Sequence, residues 1–193
     1  GRRGWYRSLP GAPVFWMDFQ KLVRLSEVFR KLAGAVFCFP CVKTEGENRM
    51  DQKIQKVVID CDPGIDDSLA LMLALSMEEI QVEAITIVCG NSPADMGFSN
   101  TKKILKNMGR LDIPVYVGAE RPLKRDYVNA LDTHGADGLG ESFLPEVPGY
   151  ENSMTAQEFL KKRFVPGQEG GPCSVIALGP MTNLARLLSD CPE

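Results

Sequence analysis

An α/β fold, doubly wound, with a mostly parallel sheet covered by helices on both faces, is the architecture that the 193-residue sequence predicts. Three observations carry it. Near-continuous apolar runs such as Val57-Val58-Ile59 and Val82 to Val88 have the length and β-branched content of strands buried on both faces. Segments with apolar residues at helical spacing alternate with them, and right-handed crossovers join parallel strands through such helices. With 44% hydrophobic and 24% charged residues, the composition is that of a globular chain long enough for one sizeable core.

The first fifty residues stand apart. Asp18 to Phe37 places Phe19, Leu22, Val23, Phe29, Leu32, Ala33 and Val36 at helical spacing among Lys21, Arg24, Arg30 and Lys31. This predicts a partly amphipathic-helical, otherwise disordered leader over residues 1–50. It does not read as an export signal, since Pro40-Cys41-Val42 is a poor small-residue cleavage site. Cys38-Phe-Pro-Cys41 has redox spacing but no strand-to-helix context, so these cysteines read as incidental. The longest apolar run, Leu32 to Cys41, is about half of the ~20 residues a membrane span requires.

From residue 51 the pattern is regular. Strand Val57 to Ile59 leads into a helix from Asp66 to Leu75. Strand Val82 to Val88, helix Ala94 to Met108 and strand Val115 to Val117 follow; then come helix Thr155 to Phe164, strand Ser174 to Leu178 and helix Met181 to Leu188. The connection Ala119 to Ser153 is long for a compact domain, as lids and binding loops are.

Charge narrows the function classes. Residues 1–50 hold nine Lys/Arg against four Asp/Glu, and the remainder thirteen against twenty-one. An acidic body disfavours a nucleic-acid surface, which needs clustered cations, and suits a cation site and a small-molecule substrate. The six scattered cysteines, several within apolar runs, indicate a reducing, cytoplasmic setting.

In doubly wound sheets, sites form beyond the carboxyl ends of the strands. There the first strand runs into Asp60-Cys61-Asp62-Pro63-Gly64-Ile65-Asp66-Asp67, four carboxylates within eight residues. One Asp at a helix start is an ordinary cap. Four crowded hard oxygen ligands are what Ca²⁺ or Mg²⁺ demands, whereas Zn²⁺ sites usually include His or Cys. Pro63-Gly64 supplies the sharp turn that lets the carboxylates converge, with Asp60 orienting it by hydrogen bonding. Asn91, after the next strand, reads either as a cap for the helix at Ala94 or as a ligand contact. The residues alone make His134 a surface loop histidine.

The Asp60-to-Asp67 string resembles the signature of the inosine-uridine-preferring nucleoside hydrolases. The resemblance continues through Val88-Cys89-Gly90-Asn91, His134-Gly135 with Asp137-Gly138-Leu139-Gly140, and Ala177-Leu178-Gly179-Pro180-Met181-Thr182-Asn183-Leu184-Ala185. It implies hydrolysis of the N-glycosidic bond of ribonucleosides, as in purine and pyrimidine salvage, by a calcium-dependent homo-oligomer. It implies Asp62 as Ca²⁺ ligand and general base, Asp67 as a second Ca²⁺ ligand, and the backbone carbonyl of Leu178 as a third, where many relatives carry Thr. Asp66 and Asn91 would hold the ribose hydroxyls, and His134 would face the substrate as a catalytic group.

Members of that family are substantially longer. The resemblance therefore implies that residues 51–193 are the amino-terminal part of the hydrolase domain, without a further Asp ligand and part of the base pocket. The chain is expected to be a fragment or a short isoform, and an inactive metal-binding form is the alternative to an active enzyme. A Mg²⁺-dependent haloacid-dehalogenase-like phosphatase, with Asp60 and Asp62 in its Asp-x-Asp string, is a second alternative. It is weakened by Pro63, where a phosphate-cradling hydroxyl would be expected nearby.

Overall fold

Strand β1, Gln55–Cys61, lies at the centre of a four-stranded, all-parallel sheet of order β3-β2-β1-β4. The computed structural model describes residues 54–149, 153–165 and 171–191. The predicted leader helix and the Cys38/Cys41 pair lie outside the described residues.

Flanked on both sides, β1 must be apolar on both faces, and its period of two sorts its side chains. Val57, Ile59 and Cys61 join one core cluster with Leu71, Met72, Ile104 and Leu105, whereas Val58 joins the other with Leu160 and Leu184. The first cluster is covered by α1, Ile65–Ser76, and α2, Ala94–Met108. The second is covered by α4, Ala156–Phe164, and α5, Thr182–Asp190. Helices on both faces confirm the doubly wound reading.

Strand β2, Ile80–Ile87, pairs with β1 through a register shift between Val57 and Val58, with Val57 opposite Val82 and Val58 opposite Ala84. Glu83 is the extra residue. Its carboxylate takes Lys56 at 3.2 Å and Arg163 of α4 at 2.8 Å. After the shift Ile85 and Ile87 face α1 and α2, while Ala84 lies on the α4/α5 side. Alternation then sets Thr86 on the latter side, opposite Asp60.

Strand β3, Val115–Val117, is an edge. Its Tyr116 ring stacks on Phe159 with centroids 4.5 Å apart. Strand β4, Ser174–Ala177, lies on the other side of β1. The chain therefore winds from β1 outward to β3, then returns across to β4. The point of reversal lies between β1 and β4, beyond whose carboxyl ends such sheets usually place their ligands.

Local chemistry explains two of the helix ends. Thr155 caps α4, accepting the Glu158 N–H at 3.3 Å, while the Glu158 carboxylate accepts the Thr155 N–H at 2.7 Å. Helix α2 stops at Gly109, whose φ of +67° suits a residue without Cβ. Ala94–Met108 and Val115–Val117 match the expected bounds, and the other long elements agree within a few residues. A single helical turn not foreseen, α3 at Leu131–His134, interrupts the long connection.

Residues 131–147 of that connection are tied into the fold. Leu139 is fully buried against the α1/α2 cluster. The Asp137 carboxylate accepts the N–H groups of Leu139 at 2.9 Å, Glu141 at 2.8 Å and Phe143 at 2.9 Å. Asn100 of α2 donates to the Asp137 carbonyl at 2.9 Å. No helix among the described residues is long and apolar enough to cross a membrane.

Candidate active site

Asp60 is fully buried at the end of β1. Its Oδ1 accepts the Thr86 hydroxyl at 2.6 Å and the Asn183 amide at 2.8 Å. Strand alternation puts Asp60 and Thr86 on the face where α5 begins, so Asn183 meets them there. The same amide donates to the Ile87 carbonyl at 3.1 Å, and its Oδ1 accepts the Ala119 N–H at 2.8 Å. One side chain of α5 thus ties the ends of β1 and β2 to the segment after β3. Asp60 Oδ2 is buried without a partner among the described residues. Burial pushes the Asp60 carboxyl above its ordinary range, against the pull of Thr86 and Asn183. Asp60 is thus held by side chains of β2 and α5 and is closed off from solvent.

Asp62 lies in a slot between two backbones. A Cβ on Gly90 would collide with its Oδ2, and one on Gly179 with its Oδ1. Glycine is required at both positions by this approach. The Asn91 N–H donates to Asp62 Oδ2 at 2.7 Å, and the Asn91 amide donates to the Asp62 carbonyl and to Asp67 Oδ2, both at 3.2 Å. Asn91 therefore holds both carboxylates from the end of β2. Burial raises Asp62 to about 6, opposed by the Asn91 N–H and reinforced by the Asp67 charge. Burial likewise raises Asp67, opposed first by the Gly64 N–H.

Asp66 follows in the first turn of α1 but is exposed, while Asp67 is buried. His134 ends α3, and its Nδ1 accepts the Ile65 N–H at 3.2 Å. The Leu178 side chain is exposed, and its N–H donates to the Asp60 carbonyl at 2.8 Å. With Gly179 against Asp62, this brings the Leu178 backbone to the carboxylate turn. All seven expected site residues thus border the carboxyl ends of β1, β2 and β4 or the loop that crosses them.

The donors can be tested against a metal. Among the described residues no three His, Cys, Asp or Glu side chains gather closely enough to form a metal centre alone. Two buried carboxylates, Asp62 and Asp67, do form a focus of negative charge: after burial, the Asp67 charge raises Asp62 and the Asp66 charge raises Asp67. With carbonyl oxygens nearby, the donor set is hard and oxygen-only. That chemistry fits Ca²⁺ or Mg²⁺, which accept carboxylates and backbone carbonyls together.

Comparison with known proteins identifies the relatives of this chain. The profile of the inosine-uridine preferring nucleoside hydrolases matches residues 57–193. The chain belongs to this family. Pyrimidine-specific ribonucleoside hydrolases of Citrobacter koseri and Salmonella typhimurium are 42% and 41% identical to it over 137 residues, 71% of this chain and 43% of each relative. A plant nucleoside hydrolase superposes with a TM-score of 0.65 at 36% identity, and an inosine-guanosine nucleoside hydrolase with 0.63 at 34%. A purine-preferring ribonucleoside hydrolase from Gardnerella vaginalis gives 0.64 at 28%. Each structural match covers 72% of this chain and 44% of the other. The chain spans less than half the length of these nucleoside hydrolases. Membership of this family disfavours the phosphatase reading.

Thr86 and Asn183 were not foreseen as site residues. Asn183 sits in the stretch that carries the family resemblance, but nothing local distinguishes a buried clamp from a polar residue in the first turn of a helix. The partnering of Thr86 follows only from the shifted register of β2. Tyr127, in the long connection, also has a buried hydroxyl with no partner among the described residues.

Proposed function

We propose that this chain carries the water-activating and ribose-binding half of a nucleoside N-ribohydrolase. The observation that carries the reading is that Asn91 holds two buried carboxylates, Asp62 and Asp67, at the reversal point of the sheet. Relatives named for pyrimidine, purine and inosine-guanosine nucleosides all match this one segment. That is the behaviour expected of machinery acting on the shared ribose rather than on the base.

Asp62, Asp67 and the carbonyl of Leu178 would hold Ca²⁺. When bound, the ion supplies Lewis acidity that lowers the pKa of a water and a chelating centre for ribose hydroxyls. Asp62, raised toward neutrality by burial, is ionised near pH 7 yet basic enough to take a proton from water. The water oxygen bonds to the anomeric carbon as the C–N bond breaks, its electron pair leaving with the base. The carboxylates stabilise the oxocarbenium-like state between.

Asn91 spends both donors on Asp62 and Asp67, which leaves its Oδ1 as the acceptor for a ribose hydroxyl. Asp66, exposed beside them, is the second ribose contact. His134 borders the same turn on the substrate side. The reading includes a cytoplasmic homo-oligomer acting in nucleoside salvage, supported by the free thiols of Cys61, Cys89, Cys173 and Cys191 and by the family resemblance.

The test is release of ribose from inosine and from uridine by the purified chain with Ca²⁺, read by reducing-sugar detection. Release that a chelator and Asp62→Asn both abolish is the expected result. A folded chain that binds Ca²⁺ but releases nothing would be the inactive metal-binding form.

A further inference from the structure

We infer that His134 is a positioning residue: its Nδ1 caps the helix that bears Asp66 and Asp67, locking the 119–147 connection to the carboxylate turn and leaving Nε2–H as the ring's one donor. The inference extends the proposed site, but its test needs neither nucleoside nor metal.

The residue before helix α1 is Gly64, which has no side chain with which to cap it. Orphan N–H groups at a helix start need acceptors. Asp67 Oδ2 accepts the Gly64 N–H at 3.4 Å, and the Ile65 N–H goes to His134 Nδ1 at 3.2 Å, from 69 residues away in sequence. The ring lies flush on the turn, where a Cβ on Gly64 would stand 2.6 Å from its Cε1 and Nδ1. Gly64 is therefore where the chain makes room for the imidazole.

The backbone that carries the imidazole is itself held. The His134 N–H donates to the Ala130 carbonyl at 3.0 Å, and its carbonyl accepts the Gly140 N–H at 2.7 Å. The Ala130 N–H donates to the Asn91 carbonyl at 2.9 Å. The connection thus grips the site twice, at Asn91 and at Ile65. A neutral imidazole has one donor and one acceptor. With the Nδ1 lone pair committed to Ile65, the proton resides on Nε2, so the ring can donate but cannot accept a proton without releasing the cap. His134 is therefore excluded as the base that activates water, a role that stays with Asp62.

His134 is the only histidine in the sequence, so one imidazole contributes to its spectra. In the ¹⁵N-labelled chain, long-range ¹H–¹⁵N correlation is expected to show a protonated Nε2 and an unprotonated Nδ1. The opposite tautomer overturns the inference. Two variants separate cap from donor. His134→Asn places an amide oxygen where Nδ1 stood, whereas His134→Gln places its amide nitrogen near Nε2 and supplies no acceptor at Nδ1. Hydrogen exchange of the Ile65 amide is expected to stay near wild type in His134→Asn and to quicken roughly tenfold in His134→Gln. Equal rates in the two variants overturn it. If neither variant folds, the wild-type tautomer still decides.

Discussion

The Asn183 amide reaches Asp60 Oδ1 at 2.8 Å across 123 residues of chain. It does so while also serving Ile87 and Ala119, so its loss leaves a buried carboxylate short of a donor and the Ala119 N–H without its acceptor, while the Ile87 carbonyl keeps the Gly118 N–H. Asn183→Ala is expected to destabilise the chain by about 2–3 kcal/mol. The shift in denaturant midpoint measures it, and a change within ~0.5 kcal/mol, as at an ordinary surface site, would contradict the clamp.

Gly90 and Gly179 press on the two oxygens of Asp62 from opposite sides. Alanine at either position has to displace that carboxylate. Each variant is expected to weaken Ca²⁺ or Tb³⁺ binding by roughly tenfold or more while retaining the circular dichroism of the parent. Unchanged affinity in both would mean that Asp62 is not a ligand.

In the metal-free chain burial raises Asp62 to about 6, and Asp60 and Asp67 are also raised. Between about pH 4, near the unfolded value of an aspartate, and pH 6 Asp62 is more protonated in the folded chain than in the unfolded one. Its contribution to stability should therefore fall as pH rises through that window and level off above it. Cation binding should run the other way, weakening as pH drops through about 6, because a protonated carboxyl is a poor ligand. Denaturation midpoints and Tb³⁺ titrations across pH 4 to 8 check the two slopes, and Asp62→Asn should flatten the first.

Asp137 gathers three backbone N–H groups and the Ser142 hydroxyl, which outweigh burial and hold its carboxyl below the usual range. Asp137→Ala removes the hub of the connection that carries His134. Limited proteolysis is expected to cut this variant between residues 119 and 147 several times faster than the parent. Equal cleavage would show that Leu139 alone secures the loop.

The sequence displayed what is local. The strands were legible because β1 and β2 are apolar on both faces, as a central parallel strand must be, and α4 because Thr155 and Glu158 form a capping pair. The carboxylate turn was visible as a string of four acids. Tertiary contacts were not. The roles of Thr86 and Asn183 depend on which face meets α5, and that depends on a one-residue irregularity with no signature in the string VEAIT. Helix α3 is four residues long, too short for any periodicity to register, and its last residue serves a helix far away in sequence. Asp137 looked like one more acid in a glycine-rich stretch, because its hydrogen-bond partners are backbone groups.

The irregularity at Glu83 has its own consequence. Were β2 to slide by one position and iron it out, Ile85 would stand opposite Asp60 and the Thr86 hydroxyl would turn into the aliphatic layer under α1 and α2. Two alignments of the same ribbon thus compete, and the ion pairs of Glu83 with Lys56 and Arg163, made at the irregularity itself, favour the productive one. Glu83 works as a reading-frame marker for the sheet, selecting which side chain Asp60 finds beside it.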